Sequence, residues 1–440
     1  MAQRVLQYRF NDISFEEGFG GHRRSVPFEF VPTTSERAGA PPLIIVVAFL
    51  LLGAFWGCWA MALPDIQRTF HLNDGSLGLV LAISVGVAGF AGAVVGRLAR
   101  RFPALHLLSA LMVIWALSAV PVSLTHSVVL FAVAFGLAQI AAGCVDAAMN
   151  APVTVHFIGY SGALVRFHSI FNIGALLGAA LGSAALAAGA SWRWLWPGVA
   201  LLGVLAGALG LAGRPGVMLD VAHRPHSPTL TPVGESAPEP LKLRRSLRED
   251  GLLAFLVIFA LAEVTEGGAF TWGVLYLRHY LHAGILVGAG AYIVGHGVAA
   301  LSRLFGGTAL RNTPVARAFV VGSGVCAAGL VLEVATHTAL FAALGLTLAT
   351  AGTSFFWPLV MSTIAARSSS PGQAVGSFTA AGYVGWVAGA PIIGYISQQF
   401  GARAGLLAMA GICVLVIGAV TSRIVPQING TFEPTGRVTT

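Results

Sequence analysis

Between residues 43 and 424 the chain alternates long apolar runs with short polar breaks. The runs fall at about 43–63, 75–95, 105–124, 128–153, 165–188, 194–213, 251–276, 284–303, 316–335, 339–365, 372–397 and 402–424. A helix needs ~20 apolar residues to cross the hydrocarbon core of a bilayer, so the pattern predicts twelve transmembrane helices. Residues 1–40 are polar and mixed in charge, with no apolar core and no small-residue cleavage site; they read as a tail rather than a signal peptide. The longest internal polar gap, 214–250, carries Pro215, Pro225, Pro228, Pro232, Pro238 and Pro240. Such a segment cannot bury enough apolar surface to order itself and reads as a linker. The expected organisation is therefore a tail (1–40), a six-helix bundle (41–213), a linker (214–250), a second six-helix bundle (251–424) and a second tail (425–440).

Composition agrees with that pattern. The 440 residues are 56% hydrophobic and 10% charged, against about 25% charged in average soluble domains. A net charge of +8 would suggest nucleic acid if it were gathered on one face, but here it lies in the breaks between apolar runs, where basic residues orient a membrane protein. With the N-terminus in the cytoplasm, the inside segments hold 5, 3, 1, 6, 3, 1 and 2 Lys or Arg, together 21 of the 25, and the outside loops hold only Arg68, Arg193, Arg278 and Arg403. This split predicts a multi-pass protein of an inner (plasma) membrane with both termini cytoplasmic. All but Lys242 of these residues are Arg, as in a GC-rich bacterial genome. Cys58, Cys144, Cys326 and Cys413 are scattered singly, without metal or redox spacing, and read as small buried hydrophobes. There is no Walker-type nucleotide loop, zinc spacing or nucleophile elbow. Neither an enzyme nor a cofactor is expected, and an ion gradient is the expected energy source.

Against this apolar background the polar exceptions stand out. Residues 128–188 form a predicted helical hairpin with Asp146 and Asn150 on one arm and His168 and Asn172 on the other. Each pair is spaced i,i+4 and shares a helix face. Folding the hairpin near Gly159 brings the two pairs to matching depths. A charge at that depth costs ~3 kcal/mol or more unless it faces a partner or a wet cavity, so an intramembrane carboxylate suggests a functional site. Glu263 and Glu266, i,i+3 on the seventh span, lie ~18–23 Å along it from Gly251 at 1.5 Å per residue, near mid-bilayer. Two carboxylates this close do not both ionise cheaply, and a carboxyl that exchanges its proton near neutral pH is what proton coupling requires. His296 and Arg303 share a face of the eighth span; Arg303 is near the cytoplasmic end, where it could snorkel, and suits a gate or a helix anchor. Glu333 is expected at an interface, and Asp65 and Asp74 in solvent beside an outer loop. Gly174, Gly178 and Gly182, like Gly385 and Gly389, recur every four residues, which lets helix backbones approach closely.

The two halves repeat. Gly96-Arg97-Leu98-Ala99-Arg100-Arg101-Phe102-Pro103 follows the second span and Gly307-Thr308-Ala309-Leu310-Arg311-Asn312-Thr313-Pro314 follows the eighth, offset by 211 residues. The same offset pairs Gly174 with Gly385 and Gly178 with Gly389. Agreement at two independent places indicates a duplicated six-helix unit. Parallel repeats about an axis along the membrane normal, with a site between them near the midplane, are the layout of a rocking transporter.

With these residues the chain resembles the major facilitator superfamily. The resemblance covers nearly all of 43–424 and centres on the family's Gly-x-Leu-Ala-Asp-Arg-x-Gly-Arg-Arg motif, matched by Gly96, Leu98, Ala99 and Arg101; Arg100 stands where the family has Asp and Pro103 where it has Gly. Asp146 to Ala151 with Met149 and Asn150, Phe167 to Gly174, Glu266-Gly267 with Trp272 and Tyr276, and Gly382-Tyr383 running to Gly389 and Pro391 look like a bacterial permease branch related to the fucose permease, although Thr271 replaces that branch's Asp before Trp. The resemblance implies a major facilitator fold, all-α and polytopic, with two pseudo-symmetric six-helix bundles around a cavity bounded by the helices that carry Trp272, Trp357, Tyr383 and Trp386.

The expected function is secondary transport of a small polar organic solute, sugar-like or an organic acid, by proton-coupled symport. Asp146 with Glu263 or Glu266 would carry the proton. Asn150, His168, Asn172, Trp272, His296, Trp357 and Tyr383 would contact the solute. Gly96, Arg97, Arg100, Arg101, Arg303 and Arg311 would work the inner gate. The alternatives are an antiporter exporting a drug or natural product and a membrane sensor on the same fold. The expected partners are the solute, protons and lipid, with no nucleic acid, and the expected state is a monomer.

Overall fold

A computed structural model describes residues 42–88, 91–99, 101–156, 161–213, 252–309, 313–367 and 371–422. The tails 1–40 and 425–440, the linker 214–250, Arg100 and Arg311 lie outside them. All regular structure among the described residues is helical. In chain order the helices are α1 (Leu43–Thr69), α2 (Asp74–Ala88), α3 (Ala91–Leu98), α4 (Ala104–Leu124), α5 (Val128–His156), α6 (Ser161–Ala187), α7 (Leu195–Ala212), α8 (Leu253–Gly268), α9 (Ile285–Ala309), α10 (Val315–Ala335), α11 (Ala339–Thr353), α12 (Phe356–Arg367), α13 (Pro371–Phe400) and α14 (Ala402–Thr421). The seventh predicted span runs on from α8 through two π-wound turns, Ala269–Gly273 and Tyr276–Tyr280.

Ten of the described helical stretches are long and apolar enough to cross a membrane. The two other predicted spans are each built from two consecutive helices, α2 with α3 and α11 with α12, the second pair broken by a turn at Ser354–Phe355. A helix is the form in which a lipid-facing chain satisfies its own backbone hydrogen bonds, and apolar side chains make it soluble there. Pro64, Pro121, Pro152 and Pro391 lie inside helices, a placement tolerated where neighbouring helices re-satisfy the freed carbonyls.

The duplication recurs in the backbone. Pro103 and Pro314, related by 211 residues, immediately precede α4 and α10 with φ,ψ of −58°,137° and −55°,135°. His71 and His282, also 211 apart, both take left-handed φ, 50° and 49°, in the turns after α1 and after the seventh span. That conformation is uncommon outside glycine, so its recurrence at equivalent positions marks one turn used twice.

Packing follows the same correspondence. α1 lies along α6 and α8 along α13; α4 packs on α7 and α10 on α14. A Cβ added at Gly174 would stand 2.1 Å from the Leu50 carbonyl oxygen, and one at Gly178 2.1 Å from that of Ala54; one at Gly385 would stand 2.1 Å from that of Ala260. Gly53 and Gly57 of α1 are equally tight against Phe171 and Ala175 of α6. The four-residue glycine spacing thus brings α6 onto α1, and α13 onto α8, with main chain against main chain. The halves meet where α2 packs on α13 and α6 on α9.

Candidate functional site

Two polar side chains of the predicted hairpin, Asp146 and Asn172, reach across the seam between the halves. Asn150 Nδ2 donates to the Asp146 backbone carbonyl (2.9 Å) and to its Oδ1 (3.1 Å), one turn away on α5. The other carboxylate oxygen accepts from the Tyr383 hydroxyl of α13 at 3.0 Å. On α6, Asn172 Nδ2 donates to the His168 carbonyl at 3.0 Å, which turns its Oδ1 outward to His296 Nδ1 of α9 at 2.9 Å. An amide oxygen only accepts, so His296 carries a proton on Nδ1. Its Nε2 is buried and has no partner among the described residues. The imidazole packs against both Phe270 and Tyr292, each with its ring centroid 4.2 Å away, and the His168 ring packs edge-on to Phe49 of α1.

Deeper in the second half, Arg303 does not snorkel. Its Nη2 lies 3.1 Å from Glu266 Oε1 and its Nε donates to the Ser354 carbonyl at 3.1 Å. The two side chains are only 9% and 8% exposed. Ser354 belongs to the break between α11 and α12, so the guanidinium also satisfies a carbonyl that the interrupted helix leaves over. Glu263, one turn earlier, is buried against Gly385 of α13 and beside the Trp386 indole. Neither of its oxygens has a hydrogen bond of normal geometry among the described residues. Trp386 in turn meets Trp56 of α1 edge-to-face at 6.3 Å, so the acid borders the seam.

The predicted aromatics divide. Trp357 packs against Tyr383 (5.9 Å) and Phe259 (5.5 Å), next to the Asp146 contact. Trp272 lies instead beside Gly394 of α13, close to the Asp74 backbone, with its indole nitrogen unpartnered among the described residues. Trp59, stacked on Phe135 at 4.2 Å, is core of the first half. Gly96 and Arg97 sit in α3 and Arg101 just beyond it, with both arginines exposed.

Three acidic residues differ from expectation. Asp74 is 5% exposed, not solvated: it accepts from Gln67 Nε2 at 2.8 Å and from the Tyr280 hydroxyl at 2.5 Å. Asp65 pairs with Arg68 and lies 3.5 Å from Arg278. Glu333 is fully buried between Gly273 and Gly345, its oxygens unpartnered among the described residues. Position along the chain placed all three near helix ends, but the facing helices that cover them are distant in sequence.

Two helical halves in contact along a polar seam, without strands among the described residues, define the architecture of a polytopic membrane protein. The family model of the Major Facilitator Superfamily matches residues 45–390, and the chain belongs to that superfamily. It is 28% identical over 418 residues to the membrane protein MosC of Rhizobium meliloti, covering 90% of this chain and 92% of MosC. It is 24% identical over 357 residues to an uncharacterized MFS-type transporter of Yersinia pestis, covering 80% of this chain and 88% of that one. Among solved structures, the nucleoside transporter NupG superposes with a TM-score of 0.66 at 14% identity, covering 86% of this chain and 97% of that one. FucP in its outward conformation superposes with a TM-score of 0.58 at 17% identity, covering 87% and 98%. At these identities the superpositions establish the fold alone.

Proposed function

We propose that the protein is a proton-coupled secondary transporter of a small polar organic solute, working by alternating access between a 41–213 bundle and a 251–424 bundle in a bacterial inner membrane. The observation that carries this reading is the acid at the seam: Asp146 of one half is bonded to Tyr383 of the other. A group that gains or loses a proton there changes a contact between the two bodies that must separate. Glu263, buried beside the Trp386 indole one turn from the Glu266–Arg303 pair, is the second proton-carrying candidate. Asn150, His168, Asn172, His296, Trp357 and Tyr383 supply the donors, acceptors and flat faces that suit a hydroxylated or heterocyclic solute. The unpartnered Nε2 of His296 offers an acceptor to a solute hydroxyl or amine. Trp272 serves as part of the seal on one side of this space.

The test is reconstitution into liposomes loaded with a pH-sensitive dye, with nucleosides, hexoses and small organic acids added singly. A coupled solute acidifies the lumen as it enters down its gradient; an exporter exchanging solute for protons gives the opposite sign. Asp146→Asn should keep solute counterflow but lose the pH signal. Solute flux indifferent to an imposed pH gradient, in both parent and variant, rules the coupling out.

A further inference from the structure

The end of the molecule bearing the 70–73 turn, outer in the orientation predicted from the basic residues, is tied shut from a single five-residue stretch. The second π-wound turn of the seventh span, Tyr276–Tyr280, sends three side chains to three different helices. Arg278 donates to the Met61 carbonyl of α1 and lies 3.5 Å from Asp65 of the same helix. Tyr280 donates to Asp74 of α2 at 2.5 Å, where Gln67 of α1 bonds the other carboxylate oxygen. Tyr276 accepts from Arg403 of α14 at 3.1 Å, which holds the turn to its own half. The Arg278 side chain is packed over Gly288 of α9, where a Cβ would come within 2.8 Å of its Cγ. Beneath these contacts the backbones close up: a Cβ at Gly78 would stand 2.5 Å from the Ala390 carbonyl, and one at Gly394 2.5 Å from that of Asp74. A cavity of about 620 Å³ lined by Asp65, Arg68, Trp192, Arg193, Arg278 and Ile285 reaches the ion pair from the same end.

We propose that Arg278 and Tyr280 are the outer latch of the transport cycle: while they hold Asp65, the Met61 carbonyl and Asp74, the path from this end to the seam is closed. This rests on the alternating-access reading but on different residues from its proton coupling. Winding at i→i+5 is rare and concentrates at functional positions. Here it lets one turn of the second half face α1 and α2 of the first while Tyr276 stays anchored behind it. Opening the end requires both first-half contacts to release together, since Arg278 and Tyr280 sit on the same turn.

Tyr292, one helical turn below Gly288 on α9 and bonded to the Trp56 carbonyl at 3.5 Å, is the place to read the latch. In a background with Cys58, Cys144, Cys326 and Cys413 replaced by Ala, Tyr292→Cys is labelled from outside intact cells with a membrane-impermeant maleimide. Arg278→Ala is expected to speed labelling by about tenfold by raising the open population, and Tyr280→Phe to act in the same direction. Arg278→Asp alone should label fast, and the charge swap Asp65→Arg with Arg278→Asp should return the rate most of the way to the parent. Normal yield and a single gel-filtration peak for the swap exclude misfolding as the cause. Unchanged labelling in Arg278→Ala, or a swap as fast as Arg278→Asp alone, overturns the latch. Either result leaves proton coupling at Asp146 untouched, and loss of that coupling would leave the labelling pattern intact.

Discussion

Glu266 and Arg303 form a buried ion pair between the seventh and eighth spans, and breaking it from one side has a calculable consequence. At 3.1 Å two unit charges attract by about 5 kcal/mol at an effective dielectric constant of about 20. Desolvating the two ions costs several kcal/mol each, so the intact pair contributes little net stability. Glu266→Ala removes the attraction and leaves the guanidinium buried with the Ser354 carbonyl as its remaining partner in the contact, which should cost about 3–5 kcal/mol. Glu266→Gln keeps an acceptor for Nη2 and should cost about 1–3 kcal/mol. Removing both charges, Glu266→Ala with Arg303→Met, should recover most of the loss, because no ion then remains to be solvated. The assay is equilibrium unfolding of purified protein in mixed micelles, read by tryptophan fluorescence as a midpoint shift at constant slope and closed into a double-mutant cycle. A coupling energy near zero, with the double variant as unstable as the two single losses together, would refute the reasoning. The amide variant also controls for Glu263, whose acidic neighbour is lost equally in Glu266→Gln and Glu266→Ala.

Three further outcomes follow from other contacts. Gly178→Leu, at a position where even a Cβ would meet the Ala54 carbonyl at 2.1 Å, should prevent α1 and α6 from closing; folded yield by fluorescence gel filtration should fall severely, whereas Gly136→Leu, with open space around it, should be tolerated. Asn172→Leu leaves His296 Nδ1 buried without its acceptor and should cost about 1–3 kcal/mol, measured in the same micelle titration; Asn172→Asp, which restores an acceptor, should cost less than Leu. Glu333→Gln should leave transport rates as they are, because its carboxyl oxygens pair with nothing among the described residues; a large transport defect in this variant would show that the acid is used.

Much of this was legible in the chain itself. Apolar runs of bilayer length dictate helices, because a backbone in hydrocarbon must satisfy its own hydrogen bonds. The 211-residue offset announced the duplication, and the same offset recurs in the backbone at His71 and His282. The unusual polar residues, Asp146, Asn172, Glu263, Glu266, His296 and Arg303, were also visible, since each is costly in an apolar segment. Helical spacing predicted which of them share a face within one helix.

Their partners were not legible. Asp146 bonds to Tyr383 at a separation of 237 residues, and Asn172 to His296 at 124. Periodicity along one helix carries no information about which distant helix will face it. For the same reason Asp74 and Glu333 read as solvent-facing or interfacial from their places near helix ends, although facing helices bury both. Sequence determined that this protein is a doubled bundle of membrane helices and which side chains are out of place in it. Only tertiary packing decided which of those side chains meet across the seam, because those contacts arise when separate helices dock and not from any local property of the chain.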